Sequence, residues 1–334
     1  MNYLSVNILT NKTDNKKDEK RTQRYYADLL LMLIAPIVMA WYYYGQAVFR
    51  TLALSVLTAV ACELIFSFLI KKPNALKDLN AVFVGIVIPL MLPANVSPWF
   101  AAMGSAFAII VAKMPFGGTK SAPFMPAAAG FAFLCLCNPE KVFFYPPVGI
   151  VTESTVSSGA SLASMLNLNH TVGLNAISLF NVFIGNIPGP MGATCALVLV
   201  GAIILILIRQ PVYFINTIGF IVGCAVPALL FPRVLNGVLS SLIFELCSGM
   251  LLFTAIFLIT DPATSPKKIH NRFFYGITAG IICMAIRHYG VFEESACFAV
   301  LIASAIWPLV NNIAENILKF FVFAKKQAAS RRTR

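Results

Sequence analysis

The chain has 334 residues, 59% of them hydrophobic and only 11% charged, with a mean hydropathy of +0.81. Because a soluble domain carries about 25% charged residues, this composition excludes an ordinary soluble protein. The net charge of +12 comes from basic residues at the two ends and in alternate loops, a distribution typical of membrane proteins and not of nucleic-acid binding. The sequence therefore predicts an all-α, polytopic integral membrane protein.

Ten apolar runs are predicted to be transmembrane helices, because several of them approach or exceed the roughly 20 residues that cross a bilayer, although the third is short and interrupted by proline. In chain order they cover residues 26–44, 48–70, 81–93, 99–113, 127–137, 191–208, 212–231, 238–259, 273–287 and 295–314. They divide the chain into a basic tail (1–25), a first transmembrane half (26–137), a polar loop (138–190), a second transmembrane half (191–316) and a second basic tail (317–334).

The distribution of lysine and arginine predicts the orientation of these spans. With the N-terminus in the cytoplasm, all but four of the 25 basic residues fall on the cytoplasmic side; the exceptions are Arg50, Lys141, Arg233 and Arg287. Cytoplasmic loops collect lysine and arginine, so both tails are predicted to be cytoplasmic. The polar loop is then extracytoplasmic.

The polar loop is rich in Ser, Thr, Gly, Pro and Asn, a composition typical of irregular structure. It contains Ser157-Ser158-Gly159-Ala160-Ser161, in which small residues leave the backbone open to close approach by a bulky group. The Ser161 hydroxyl is a candidate for attachment of a cofactor. A plain Ser/Gly turn is the alternative interpretation.

The two halves resemble each other with opposite orientation. In the first half, a span ending at Lys113 is followed by a short helix of small residues; in the second, a span ending at Arg287 is followed by a similar helix from Ser295. The third to fifth and the eighth to tenth spans enter from opposite sides, as an inverted repeat requires. In such folds, short helices interrupted by Pro and Gly meet near the midplane and line a ligand or ion site.

Acidic residues inside or next to the spans are candidates for an ion path, because charged groups are costly in a membrane. Glu63 lies within the second span, whereas Asp78 and Asp261 lie at helix ends beside predicted broken helices. The alternative for Glu63 is a structural pair with a neighbouring helix.

Motifs for other chemistry do not occur in the sequence. A nucleophile–histidine–acid triad, a phosphate loop and a dinucleotide-binding glycine pattern are all missing. The eight cysteines and three histidines have no metal-ligand spacing. We therefore predict neither catalytic residues nor a metal site.

Several segments together resemble the D subunit of the Rnf complex, a membrane-bound ferredoxin:NAD oxidoreductase, and more distantly the B subunit of the sodium-pumping NADH:quinone reductase. The resemblance runs through most of the chain in the order of that family. The segments are Glu63-Leu64-Ile65-Phe66, Leu76-Lys77-Asp78-Leu79-Asn80-Ala81, Pro123-Phe124-Met125-Pro126-Ala127, Ser158-Gly159-Ala160-Ser161, Thr260-Asp261-Pro262-Ala263-Thr264-Ser265-Pro266 and Glu294-Ser295-Ala296-Cys297-Phe298-Ala299-Val300-Leu301.

The resemblance implies a covalent flavin on the polar loop. In that family a dedicated flavin transferase joins FMN through its phosphate to a threonine hydroxyl. The corresponding acceptor here is Ser161, with Ser158, Gly159 and Ala160 as the recognition motif. Serine in place of threonine keeps a hydroxyl that can form the same phosphoester, whereas Thr155 stands where the family usually has an aspartate. A second, non-covalent riboflavin toward the cytoplasmic side is also implied.

The function that the resemblance implies is that of a membrane subunit in an ion-translocating electron-transport complex of the bacterial inner membrane. Electrons would pass between ferredoxin and NAD through FMN, coupled to translocation of Na+ or H+. Other subunits of the Rnf complex would be the partners, and the chain would not be catalytic alone. The alternative is a solute channel or transporter with an inverted-repeat fold and no redox cofactor.

Overall fold

The structure, a computed structural model, describes residues 2–70, 78–119, 121–146, 179–233, 238–290 and 294–311, with side chains from residue 20 onward. Most of the described residues are helical, which confirms the all-α prediction. Ser158, Gly159, Ala160 and Ser161 lie outside the described residues.

The helices are named here in chain order. They are α1 (Asn2–Tyr44), α2 (Ala47–Leu69), α3 (Asn80–Leu90), α4 (Pro98–Phe107), α5 (Pro126–Cys137), α6 (Pro139–Val142), α7 (Leu179–Ile184), α8 (Ala196–Arg209), α9 (Pro211–Leu230), α10 (Val238–Cys247), α11 (Leu251–Phe257), α12 (Ile269–Tyr289) and α13 (Ala296–Asn311). A π-helix over Ala108–Lys113 and a 3-10 turn over Met114–Phe116 continue α4.

Each of the ten predicted spans coincides with a helix or with a pair of helices. Five helices in the described part are long and apolar enough to cross a membrane: α1 from Lys20, α2, α4 with its continuation, α9 and α12. The eighth run is a bent span, in which α10 and α11 meet at 56°. The remaining runs are apolar helices of 10–17 residues, namely α3, α5, α8 and α13. The polytopic architecture is thus confirmed, and the predicted broken helix is present.

Two predicted boundaries differ most from the structure. Helix α1 begins at Asn2, so the segment predicted as a polar tail is helical. The prediction that the sixth span begins at Met191 is wrong, because α8 begins only at Ala196. The backbone N–H groups of Met191 and Gly192 instead donate to the carbonyl oxygens of Leu92 and Leu90, at 3.1 and 2.7 Å. The segment before α8 thereby caps the end of α3.

Helices α2 and α4 run parallel. The Ser55 and Ser105 hydroxyls lie 2.6 Å apart. Eight residues further along both helices, Lys113 bonds to Glu63. Since two parallel helices in one chain require a crossing between them, α3 returns the chain across the membrane. With 11 residues, α3 is only about 16 Å long, about half of the hydrocarbon core.

Helices α9 and α12 form a second parallel pair, in which glycines allow the backbones to touch. A Cβ atom on Gly219 would lie 2.4 Å from the Phe273 carbonyl oxygen, and one on Gly280 would lie 2.5 Å from that of Phe220. Such small residues are typical of close helix contacts in membranes. The bent span α10–α11 crosses between these two helices, as α3 does between α2 and α4.

Contacts along α1 define two ends of the molecule. At its membrane-spanning start, Tyr26 donates to Asp261, and the Tyr25 ring packs at a tilt against that of Tyr213 at the start of α9. Near its end, the Tyr43 hydroxyl donates to the Ile184 carbonyl oxygen. We call these the Tyr26 end and the Tyr43 end. The span orientation predicted from the basic residues likewise places Tyr26, Tyr213 and Asp261 on one side of the membrane, and Tyr43 and Ile184 on the other.

The two short central elements form much of the core. Every residue of α11 is buried, and nine of the 11 residues of α3 are buried. Long helices surround them, with apolar side chains of α1 and α2 exposed on the outer surface. The charged groups described below lie at the ends of these two elements.

Candidate functional site

Three charged residues meet inside the first half; we call Glu63, Asp78 and Lys113 the first cluster. The Lys113 ammonium donates to Glu63 Oε1 at 2.5 Å, and its Nζ atom lies 3.8 Å from Asp78 Oδ1. The side chains of Lys113 and Glu63 are both 1% exposed. Buried charges of this kind are stable only when they are paired.

Local backbone structure places Lys113 in this cluster. The last turns of the fourth span form a π-helix, Ala108–Lys113, which widens the turn and is frequent at functional sites. The chain then tightens into the 3-10 turn and leaves through Gly117 and Gly118, whose φ angles are +96° and +108°. Glycine adopts these angles without steric cost. Thr119 follows directly and donates its hydroxyl to Asp78 Oδ2.

Asp78 also holds the start of α3. Its Oδ1 atom accepts the backbone N–H of Asn80 at 3.2 Å. Between them, Leu79 has a φ of +60°, a left-handed conformation that is uncommon for a non-glycine residue. Backbone strain of this kind is found preferentially at functional sites.

Several polar atoms beside the first cluster are buried without a hydrogen-bond partner among the described residues. The Asn80 side chain is fully buried, and neither its amide nitrogen nor its amide oxygen is paired. The Oε2 atom of Glu63 is also unpaired. An unpaired buried polar group costs about 1–3 kcal/mol. These atoms are therefore candidates for binding a ligand, an ion or water.

Asp261 lies where the bent span ends. It accepts the Tyr26 hydroxyl at 2.7 Å and the backbone N–H of Thr264 at 3.2 Å. The adjacent Tyr25 hydroxyl donates to the carbonyl and hydroxyl oxygens of Thr260, at 2.6 and 2.8 Å. Two tyrosines of α1 thus hold the segment that carries the Thr-Asp-Pro motif.

The structure brings the three predicted ion-path carboxylates to one end of the molecule. Glu63 and Asp78 share Lys113, and Tyr26 places Asp261 at the same end, since its phenol bonds to Asp261 and its ring packs against Phe83 of α3. Their role in ion movement stays a prediction. Sequence reasoning did not include Lys113, Asn80 or Tyr26 in the site, although Lys113 could be suspected as a basic residue ending an apolar run.

A second charged cluster lies toward the Tyr43 end. Arg233 donates from Nε and Nη2 to the two carboxylate oxygens of Glu245, at 2.5 and 3.0 Å, and Arg287 Nη1 lies 3.4 Å from Glu245 Oε2. Glu294 accepts the Met250 backbone N–H at 2.8 Å, two residues after Ser248, whose hydroxyl Arg287 contacts at 2.7 Å. We call these four charged residues the second cluster. Its sequence signal is the carboxylate of Glu245 inside an apolar run.

Comparison with known proteins matches most of the chain. The sequence model of the NQR2, RnfD, RnfE family matches residues 11–318. The D subunit of the Na(+)-translocating ferredoxin:NAD(+) oxidoreductase complex of Acetobacterium woodii is 27% identical over 331 residues, covering 97% of this chain and 98% of the relative. The D subunit of the ion-translocating oxidoreductase complex of Stutzerimonas stutzeri is 29% identical over 323 residues, covering 87% and 90%.

A further relative of the same name, from Erwinia tasmaniensis, is 27% identical over 332 residues, covering 88% of this chain and 93% of the relative. These relatives are subunits of ion-translocating oxidoreductase complexes. Since the family match extends over far more than half of the sequence, the chain belongs to the NQR2, RnfD, RnfE family.

Proposed function

We propose that the chain is the flavin-bearing membrane subunit of an Rnf-type complex, in which electrons pass between ferredoxin and NAD while Na+ or H+ is translocated. Family membership and the names of the relatives support this proposal. The partners are the other subunits of the complex. We place the chain in the bacterial inner membrane with both termini and the Tyr26 end in the cytoplasm, following the distribution of basic residues.

The observation that carries the ion-coupling part is the composition of the first cluster. Among the described residues, two carboxylates meet one ammonium, so one negative charge lacks a partner. The buried Glu63 Oε2 and Asn80 Oδ1 atoms are acceptors without a donor. A cation satisfies both deficits, because it supplies charge and accepts oxygen ligands. The translocated Na+ or H+ is therefore proposed to bind here, with Asp78 and Asp261 on its route.

The redox part rests on Ser161 of the polar loop, in the stretch 147–178 that lies outside the described residues. We propose that Ser161 carries FMN as a phosphoester of its hydroxyl oxygen, formed by a flavin transferase that recognises Ser158, Gly159 and Ala160. A flavin supplies one- and two-electron steps, which protein side chains do not. We further propose a non-covalent riboflavin toward the cytoplasmic side. The loop itself is proposed to be extracytoplasmic.

In-gel fluorescence tests the flavin. The chain is expressed with its flavin transferase, denatured and examined for fluorescence beside Ser161→Ala, Ser161→Thr and the neighbouring control Ser157→Ala. We expect fluorescence in the wild type, in Ser161→Thr and in the control, and none in Ser161→Ala. A wild-type band without fluorescence would refute the covalent link. If the purified complex were also colourless, the solute transporter would be favoured instead.

Cation dependence tests the first cluster. We expect Glu63→Gln and Asn80→Leu to raise the Na+ concentration, or the proton concentration, for half-maximal electron transfer by about tenfold, the equivalent of one lost ligand. Asn80→Leu removes unpaired buried atoms, so folding stability should be retained. The matched control is Glu140→Gln, which changes an exposed carboxylate. Unchanged half-saturation in both cluster variants would refute the site.

A further inference from the structure

The bent span has a break at Ser248, Gly249 and Met250, between α10 and α11. A break frees the backbone carbonyl groups of the last turn of α10 and the N–H groups of the first turn of α11. In a membrane these groups need partners, because water is not available to them. Two charged side chains supply the partners.

Arg287 serves the carbonyl side of the break. Its Nη1 atom donates to the Glu245 carbonyl oxygen at 3.0 Å and to the Ser248 hydroxyl at 2.7 Å, and Nη2 donates to the Ser248 carbonyl oxygen at 3.2 Å. The Arg287 side chain is 0% exposed. A cation at the C-terminus of a helix is favoured by the helix dipole.

Glu294 serves the amide side. Its Oε2 atom accepts the Met250 backbone N–H at 2.8 Å, at the start of α11. Its carboxylate also occupies the space beside Gly249, where a Cβ atom would lie 2.5 Å from Oε1. The break is thus enclosed by one cation and one anion, each on the side that the helix dipoles favour.

The position of Arg287 is one that a mobile cation takes in other membrane proteins. In transporters with broken helices, the carbonyl groups at the C-terminus of a half-helix coordinate the translocated cation. Here a guanidinium attached to the chain has these ligands. Among the described residues, the second cluster balances two guanidinium groups with two carboxylates that lie at or beside the break, so it has no deficit for a further cation.

We propose that Arg287 is a resident cation that closes the break of the bent span to mobile cations. The translocated ion is thereby confined to the first cluster, a consequence that rests on the proposed function; the closure of the break does not. Without Arg287, the carbonyl oxygens of Glu245 and Ser248, the Ser248 hydroxyl and the Glu245 carboxylate form a vacant set of oxygen ligands. The three remaining charges then sum to a net negative, which Na+ neutralises.

The experiment compares wild-type complex with Arg287→Gln, Arg287→Lys and the control Arg209→Gln, in which a half-exposed arginine at the other end is changed. Thermal unfolding is measured in sodium chloride and in choline chloride. Passive 22Na+ uptake is measured in proteoliposomes without an electron donor, so that the result does not depend on redox activity. Failure of the proposed function would therefore leave these measurements interpretable.

For Arg287→Gln we expect sodium to raise the unfolding temperature by about 2 °C over choline, the effect of a new site filled to roughly tenfold its dissociation constant. Passive uptake should rise about tenfold, the equivalent of about 1.4 kcal/mol in barrier. Arg287→Lys keeps the charge, so it and the control should behave as the wild type does. A folded Arg287→Gln protein whose stability does not depend on sodium would overturn the proposal. So would an uptake in Arg287→Lys as high as that in Arg287→Gln.

If Arg287→Gln does not yield folded complex, the proposal is tested with the double variant that combines Arg287→Gln with Glu294→Gln. It removes one charge of each sign, so the break is again neutral and should fold without sodium-dependent stabilisation. Sodium-dependent stabilisation or uptake in this charge-balanced variant would show that the charge of Arg287 does not control the site. That result would overturn the proposal.

Discussion

Lys113 and Arg287 each lie near the end of the second helix of a parallel pair, yet their side chains have different partners. Lys113 pairs with a carboxylate on the other helix of its pair, α2, and lies near the start of α3. Arg287 donates mainly to backbone and hydroxyl oxygens at the break of the bent span. The first cluster is short of one positive charge among the described residues, whereas the second is balanced. The mobile cation that we propose for the first half and the fixed cation of the second thus occupy similar positions.

The contacts between the paired helices also differ between the two halves. Helices α2 and α4 are joined through polar pairs, Ser55 with Ser105 and Glu63 with Lys113. Helices α9 and α12 are joined through glycines that place one backbone against the other. Polar partners can be exchanged at modest cost, whereas close backbone packing cannot adjust without a shift of the helices. This difference favours the first half as the place where we propose that the ion enters and leaves.

The largest effect is expected from Lys113→Met. This change leaves two carboxylates together without their ammonium, and breaking a buried pair in this way costs about 3–5 kcal/mol. Lys113→Arg keeps the charge and should cost much less. The measurement is the free energy of unfolding in a detergent titration of the purified complex. A loss below about 1 kcal/mol for Lys113→Met would mean that the first cluster is solvated, contrary to its burial.

Glycine contacts in the second half are expected to be nearly as important. A Cβ atom on Gly276 would lie 2.4 Å from the Asn216 carbonyl oxygen. Gly276→Ala must therefore separate α9 from α12, at a cost of about 1–3 kcal/mol or more. Gly201→Ala in α8 is the matched control, because no atom lies within 4 Å of its Cβ position; alanine there should stabilise the helix by about 0.5–1 kcal/mol. Equal effects at both positions would refute the close packing.

A smaller and more specific effect is expected at the break. Gly249 and Gly45 have similar φ angles, +58° and +66°, so alanine carries a similar backbone penalty at both, about 1 kcal/mol. Only at Gly249 does the new Cβ atom meet a neighbour, the Glu294 carboxylate; at Gly45 the space is open. The difference in unfolding free energy between Gly249→Ala and Gly45→Ala thus measures displacement of Glu294, about 1 kcal/mol or more. No difference would mean that Glu294 moves away freely.

Helix positions could be predicted from the sequence, whereas the partners of charged groups could not. The fifth run is predicted from Ala127 to Cys137, and α5 covers Pro126–Cys137. Hydropathy and Pro or Gly punctuation suffice for such boundaries. Glu63 and Lys113, however, are 50 residues apart, and only the parallel packing of α2 on α4 brings them together. No local pattern in the sequence records that register.

Two other features depend on tertiary contacts in the same way. Helix α8 starts at Ala196 and not at Met191, and the segment before it instead follows the end of α3, where the Met191 and Gly192 N–H groups donate to the Leu92 and Leu90 carbonyl oxygens. The break of the bent span falls at Gly249, where Arg287 and Glu294 enclose it. An interrupted helix could be predicted beside Asp261, but the 56° angle of the break could not, since the groups that stabilise the bend come from other helices.

The smallest effect is expected from the polar contact between Ser55 and Ser105 in the first half, in contrast to the glycine contacts of the second half. Ser55→Ala removes one partner of a buried hydroxyl pair whose oxygens lie 2.6 Å apart. Hydrogen bonds between membrane helices average about 0.6 kcal/mol, because the unfolded chain in the membrane also finds partners. We expect a loss of that size, and little further loss when Ser105→Ala is added, since the second hydroxyl has already lost its partner. Additive losses in this double-mutant cycle would show that the pair contributes nothing. A coupling above about 2 kcal/mol would show that the first half is as rigidly joined as the second, and the contrast between an exchangeable and a fixed half would then have to be given up.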